Sequence, residues 1–181
     1  MAAHEGAAVV VVDAFRVSTT ITVLVSKGVR VVPVASIEEA ASYPGADYRI
    51  GERGSAKVQG FDFGNSPTQI KPTELEKGAI VVLSTTNGTR IIEAARGAPA
   101  ILTGAFVNTH ALAEALVGGT YGARFAMIGC GWEGRRASED ESAAGAILHR
   151  LREKGAKLDW RAERVAELYP TRPEETLRTV R

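Results

Sequence analysis

Residues 9–27 read VVVVDAFRVSTTITVLVSK, and this stretch decides the fold. Val9–Val12 is a run of β-branched side chains without polar alternation, the pattern of a strand covered on both faces. Asp13 ends it. Polar Arg16, Ser18, Thr19 and Thr20 follow, then apolar Ile21, Val23, Leu24 and Val25, and Gly28 supplies a helix stop. A helix that starts here points unpaired backbone N–H groups, the positive dipole end, hydroxyls and one guanidinium into one small volume. That combination suits an anion, above all phosphate.

The rest of the chain repeats the same alternation. Val29–Val34 is again β-branched, and Ser36-Ile37-Glu38-Glu39 is a capping box that opens a short helix to about Ser42. Tyr48–Ile50 is a third strand, after which periodicity is lost over GERGSAKVQGFDFGNSPTQIKP, residues 51–72. A loop of that length inside a compact domain is usually functional. Phe61 and Phe63 are expected to pin this loop while Asp62 between them faces the other way, and residues 64–67 read as a tight turn. Strand Ala79–Leu83, turn STTNGT, helix Arg90–Arg96, strand Ala100–Thr103, helix Asn108–Leu116 and strand Phe125–Ile128 come next. The glycine-rich GCGWEGRRA then leads to a second capping box, Ser138-Glu139-Asp140-Glu141, and a helix to about Lys154. Two more helical stretches, near Trp160–Leu168 and Pro173–Val180, complete a helical tail after 155. Strands alternating with helices predict an α/β fold with a mainly parallel sheet covered on both faces. One domain over residues 9–181 is expected, with a frayed start before it.

Composition narrows the function classes. Lys and Arg total 22 against 21 Asp and Glu, so no overall field holds the chain on nucleic acid or an anionic membrane. A single cysteine forms no intramolecular disulfide, and neither a signal peptide nor a long apolar run is present. The expectation is a protein of the reducing cytoplasm whose partners are small molecules, with a homo-oligomer left open.

In an open parallel sheet, ligands bind beyond the carboxyl ends of the strands. Three turns there are unusually polar: Asp13 to Thr20, Ser84 to Arg90, and Gly129 to Ser138. Serine, threonine and asparagine in such turns can simply cap helices. An arginine at a helix N-terminus, however, opposes the dipole and calls for a reason such as a bound anion, and the first two turns carry one each, Arg16 and Arg90. Carboxylates lie on the same side: Asp13, Glu52 and Asp62, Glu139 and Asp140. Beside a phosphate they call for an intervening cation, and Mg²⁺ held by one or two carboxylates plus phosphate oxygens is the usual solution. Separate salt bridges, such as Glu52 with Arg53 or Arg49, are the alternative.

Taken in order, DAFRVSTT, GERGSAKVQGFDFGNSP, STTNGTR, GAFVN and SEDESAAG closely resemble the 2-phosphosulfolactate phosphatase family, over about Val9 to Leu151. The resemblance implies a three-layer α/β/α sandwich and Mg²⁺-dependent hydrolysis of (2R)-2-phospho-3-sulfolactate to sulfolactate and phosphate, a reaction that serves coenzyme M biosynthesis in methanogens. Asp13, Glu52 and Asp140 are the candidates for direct or water-mediated metal contacts, and Asp13, Arg16 and Arg90 the candidate catalytic groups. Ser18, Thr19 and Thr20 would line the first anion turn, and Thr86, Asn87, Gly88 and Thr89 the second. The matched blocks add Asn65, Ser66 and Asn108 as substrate contacts. A substrate bearing phosphate, sulfonate and carboxylate on three carbons fits a site with more than one anion-binding turn. Family members are expected to carry a further N-terminal segment and a longer C-terminal portion. Where the family usually reads Cys-Ala-Gly, this chain has Gly129-Cys130-Gly131, with the cysteine displaced by one position.

Three other readings compete. Cys130 and Arg136 have the C-x₅-R spacing of cysteine phosphatases, but a lone cysteine meets that spacing easily among 16 arginines, and a small apolar role is expected for it. Residues 129–134 spell G-x-G-x-x-G, yet the next stretch is helical and lacks the acidic strand end of a dinucleotide site. A non-catalytic anion-binding module on the same fold is the third. His4, His110 and His149 have no metal-ligand spacing, and Trp132 suits either an aromatic lid or a packing anchor.

Overall fold

The apolar runs become strands in the computed structural model, which describes residues 6–169. His4 and the expected helix at Pro173–Val180 lie outside the described residues. The elements are β1 (Ala8–Val12), α1 (Val17–Ser26), β2 (Arg30–Pro33), α2 (Ile37–Ser42), β3 (Tyr48–Arg53), β4 (Ala56–Lys57), α3 (Pro67–Ile70), β5 (Ile80–Ser84), α4 (Gly88–Ala94), β6 (Ile101–Gly104), α5 (Thr109–Val117), β7 (Phe125–Gly129), α6 (Ser138–Glu153) and α7 (Trp160–Leu168). A 3-10 turn, Phe106–Asn108, leads into α5.

The strands form two ladders. In one, β1 lies between β6 and β7, all parallel, with Val9 opposite both Ile101 and Ala126. In the other, β5 lies between β2 and β3, again parallel, and only the short β4 runs antiparallel, against β3. The α/β class and the mostly parallel pairing expected from the sequence are thus present, with the strands divided between two sheets. Alternation within each strand explains the layers. Val10 and Val12 of β1 pack with α5, α6 and α7, while Val9 and Val11 pack with Ala95, Ile91 and Ile92 around α4. In the second sheet Val81 and Leu83 meet α1 and α3, and Val82 meets Ala40 of α2 and Phe61. Val9–Val12 are no more than 1 % exposed, and a buried valine contributes on the order of 1.5–3 kcal/mol. The end of β1 is therefore a fixed point from which Asp13 projects.

Three local expectations are corrected. Residues 51–72 are not a structureless loop: β3 continues to Arg53, and Gly54 and Ser55, at φ 56° and 65°, turn the chain into β4, as a two-residue hairpin with positive φ at both central residues does. Pro67 then opens α3. Phe61 and Phe63 do anchor the segment, but in different clusters, and Asp62 accepts from the Arg49 backbone N–H at 2.7 Å. The first capping box forms only in half: Ser36 Oγ accepts from Glu39 N, whereas the Glu39 carboxylate accepts from Ala35 N, one residue before the cap. The second does not form. Ser138 is already helical behind Ala137, and no side chain caps α6.

Candidate active site

The turns after β1, β3, β5 and β7 converge on one cleft, lined by Asp13, Phe15, Arg16, Glu52, Asn65, Thr85, Thr86, Asn87, Gly131, Trp132, Glu139 and Asp140. Gly88 lets the two sheets meet there: a Cβ on it would overlap Val17 and stand 3.0 Å from Asp13 Oδ2. Asn87 Nδ2 donates to Gly131 O at 3.4 Å and ties the second turn to the third. The third turn folds back on itself through paired backbone bonds between Trp132 and Arg135, with Glu133 and Gly134 at positive φ.

Three carboxylates face one another across the cleft. Asp13 Oδ1 accepts from Val17 N at 3.2 Å. Asp140, only 4 % exposed, accepts from Ala14 N and Gly131 N, both at 2.9 Å, and so braces the first turn against the third. Glu52 accepts from Ser55 N at 3.0 Å and pairs with Arg16 at 3.2 Å. The ion pair of Glu52 with Arg53 or Arg49, the alternative reading, does not form, and Arg53 instead donates to Glu52 O and Ser84 Oγ. Burial, then the charge of Asp140, and to a lesser extent that of Glu52, push the Asp13 carboxyl up to about 6. Burial also raises Asp140, against the two N–H groups that hold it down. Negative charge is therefore crowded here beyond what Arg16 offsets.

The sequence candidates separate on this geometry. Asp13, Arg16, Glu52, Asn65, Thr86, Asn87 and Asp140 come together at the cleft. Ser18, Thr19, Thr20, Ser66, Gly88, Thr89, Arg90 and Asn108 do not line it. Ser18 Oγ donates to Val11 O and accepts from Asp13 N, and Thr19 Oγ1 donates to Ala14 O, so both hydroxyls close their own turn. Thr89 does the same with Thr85 O, and Asn108 spends its amide on Ala105 N and Thr103 O. Ser66 bonds Thr68. Arg90 is exposed on α4. Two residues at the cleft are not singled out by sequence reasoning. Thr85 is one, although it stands inside the matched STTNGTR block. Phe15 is the other, and with Trp132 it places a half-exposed aromatic at the rim.

Cys130 is a packing residue. It sits with Val9, Val11 and Ile128 in a core cluster, and burial together with the charges of Asp13 and Asp140 pushes its thiol far up, away from a nucleophilic thiolate.

Among the described residues no group of three or more His, Cys, Asp or Glu side chains stands ready to hold a metal ion. The chemistry of the cleft still fits Mg²⁺, which needs only one or two carboxylates and keeps several waters. The donor set is oxygen only, and Asp13, raised by burial first, also feels the charges of Asp140 and Glu52.

Fold and cleft together define an α/β protein with an acidic, arginine-bearing site at the carboxyl ends of parallel strands. The chain belongs to the 2-phosphosulpholactate phosphatase family, whose sequence model matches residues 2–180. It is 41 % identical over 153 residues to the probable 2-phosphosulfolactate phosphatase of Synechococcus sp. (strain CC9605), covering 81 % of this chain and 62 % of that protein. The protein of that name from Gloeobacter violaceus (strain ATCC 29082 / PCC 7421) is 38 % identical over 168 residues, covering 90 % and 69 %. That of Thermosynechococcus vestitus (strain NIES-2133 / IAM M-273 / BP-1) is 40 % identical over 148 residues, covering 78 % and 60 %. The chain thus spans about three fifths of the length of the Synechococcus and Thermosynechococcus proteins, 62 % and 60 %.

Proposed function

We propose that the chain is a Mg²⁺-dependent phosphatase that hydrolyses the phosphate monoester of 2-phospho-3-sulfolactate, or of a related small phosphorylated hydroxy acid, to the hydroxy acid and phosphate. The observation that carries this reading is the crowding of Asp13, Asp140 and Glu52 beside Arg16 in a cleft where backbone turns from both sheets meet. Family membership and the names of the relatives support the substrate. The place of action is the cytoplasm, and neither nucleic acid nor membrane takes part. No helix among the described residues is long and apolar enough to cross a membrane.

Of Asp13, Asp140 and Glu52, one or two would hold Mg²⁺ directly and the rest through water, and the bound ion would neutralise phosphate charge and polarise the phosphoryl group. Arg16, held at the rim by Glu52, reaches a phosphate oxygen as a charge-assisted donor. A water oxygen adds to phosphorus as the P–O ester bond breaks. Asp13 takes the proton that this water loses, while the departing alkoxide gains one from solvent. Phe15 and Trp132 at the rim limit access of further water. Phosphate release from 2-phospho-3-sulfolactate and from a plain alkyl phosphate, each with Mg²⁺ and with a chelator, tests the reading. Hydrolysis that requires Mg²⁺ is expected. Absence of turnover on both substrates, with Mg²⁺ present, would leave a non-catalytic anion-binding module in its place.

A further inference from the structure

Three buried side-chain polar atoms among the described residues have no hydrogen-bond partner: Thr20 Oγ1, Asn65 Oδ1 and Thr85 Oγ1. Leaving such an atom unsatisfied costs roughly 1–3 kcal/mol, and native proteins keep few of them. Thr20 lies inside α1, away from the cleft lining. Thr85 and Asn65, 3 % and 4 % exposed, both line the cleft.

Their origin makes the pair specific. Ser84, the last residue of β5, is the register partner of Gly51 on β3, so Thr85 leaves the sheet alongside Glu52. Asn65 follows the segment that bridges Ile50 through Phe63 on the other side of β3. The two neutral groups thus belong to the second sheet, whereas Asp13 and Asp140 come from the end of β1 and from α6, beside the first. The room in the cleft is about 30 Å³, enough for one or two water-sized groups.

A carboxylate or phosphate oxygen only accepts, and the buried Asn65 Oδ1 only accepts as well. An O–H oxygen both donates and accepts, so it satisfies the threonine hydroxyl and the amide in either orientation of the amide. We infer that Thr85 and Asn65 form a subsite for an O–H oxygen, supplied by the attacking water or by the alcohol side of the ester bond. Thr85 is then a catalytic residue in the first case and a product-binding one in the second. The inference rests on the phosphatase reading for its role, though the subsite itself does not depend on turnover.

The test combines a crystal structure of the ligand-free wild-type protein with kinetics and melting of Thr85→Val and Thr85→Ser. The structure is expected to show an ordered water within hydrogen-bond reach of both Thr85 Oγ1 and the Asn65 amide, and a bare hydroxyl overturns the subsite. Thr85→Val is expected to lower turnover roughly 10- to 100-fold with an unchanged melting temperature, because the hydroxyl has no protein partner to lose, and Thr85→Ser is expected to restore turnover. If the source is water, kcat falls on every phosphomonoester while inhibition by the hydroxy-acid product is unchanged. If it is the alcohol, kcat falls because the hydroxyl no longer donates to the departing oxygen, and product inhibition weakens as well. Unchanged kcat, KM and product inhibition in Thr85→Val overturn the inference. So does a lower melting temperature without a kinetic effect, which would give the hydroxyl a purely structural partner. A wild type inert toward all phosphomonoesters would sink the proposed function instead, and the ordered water would then decide the subsite alone.

Discussion

The turn that follows β1 is closed on itself, whereas the turn that follows β5 leaves a buried hydroxyl open to the cleft. In the first, Ser18 and Thr19 bond the backbone of residues 11–14, and the groups left facing outward are charged: Asp13 and Arg16. In the second, Thr89 closes the turn while Thr85 keeps a free hydroxyl and Arg90 stays outside the cleft lining. Two turns of like composition therefore differ in what they present, one charged groups and the other an unpartnered neutral hydroxyl. A hydroxyl at a helix start is a brace when its own turn offers a carbonyl, and a ligand contact only when it does not.

The largest effect is expected from Asp13→Asn, which removes both the proposed base and a proposed metal ligand from the charged turn. Turnover should fall by roughly 10²- to 10⁴-fold, measured as phosphate release at saturating substrate and Mg²⁺. Next comes Arg16→Ala, with a loss of about 1.5–3 kcal/mol in transition-state binding, or roughly 10- to 150-fold in kcat/KM, on small and large phosphomonoesters alike. Arg90→Ala measured beside it should cost less than about 1 kcal/mol, the scale of an exposed charge. Equal losses in the two arginine variants would break the division between the turns. Smallest of all is Cys130→Ser, expected to keep turnover within about threefold because the thiol is a packing group. A phosphocysteine trapped in the wild type would reverse that assignment.

Much of the scaffold is legible in the sequence because its signals are local. The valines of β1 and the Ser36 cap of α2 declare their states through residues that are neighbours in the chain. Of the charged candidates, Asp13, Arg16, Glu52 and Asp140 meet at the cleft, whereas Arg90 stays outside its lining. Pairing between distant parts is not legible in the sequence. The sequence offers Glu52 a neighbouring arginine, but the fold brings Arg16 to it from 36 residues away. Ser138 has the pattern of a cap, yet Asp140, two residues on, reaches Ala14 N and Gly131 N, and this tertiary bonding fixes how α6 begins. Asn108 and Ser18 suit anions by residue type. Their backbone partners, within five and seven residues, are set by how tightly each turn closes, which residue type alone does not encode.

Asp13, Asp140 and Glu52 hold more negative charge than the chain itself balances, and thermal unfolding probes that imbalance without any substrate. With its carboxyl raised from 3.8 to about 6, Asp13 favours the folded state fully below pH 3.8, and that contribution is lost as pH rises through 6. Above pH 6 the ionised carboxylate therefore costs the fold roughly 3 kcal/mol. Asparagine keeps an acceptor for Val17 N and carries no charge. At pH 7.5 in a chelator, Asp13→Asn should melt above the wild type, and Mg²⁺ should raise the wild type clearly and the variant little. A variant that melts below the wild type in chelator, with equal Mg²⁺ shifts in both proteins, would show that the three carboxylates are balanced without a cation.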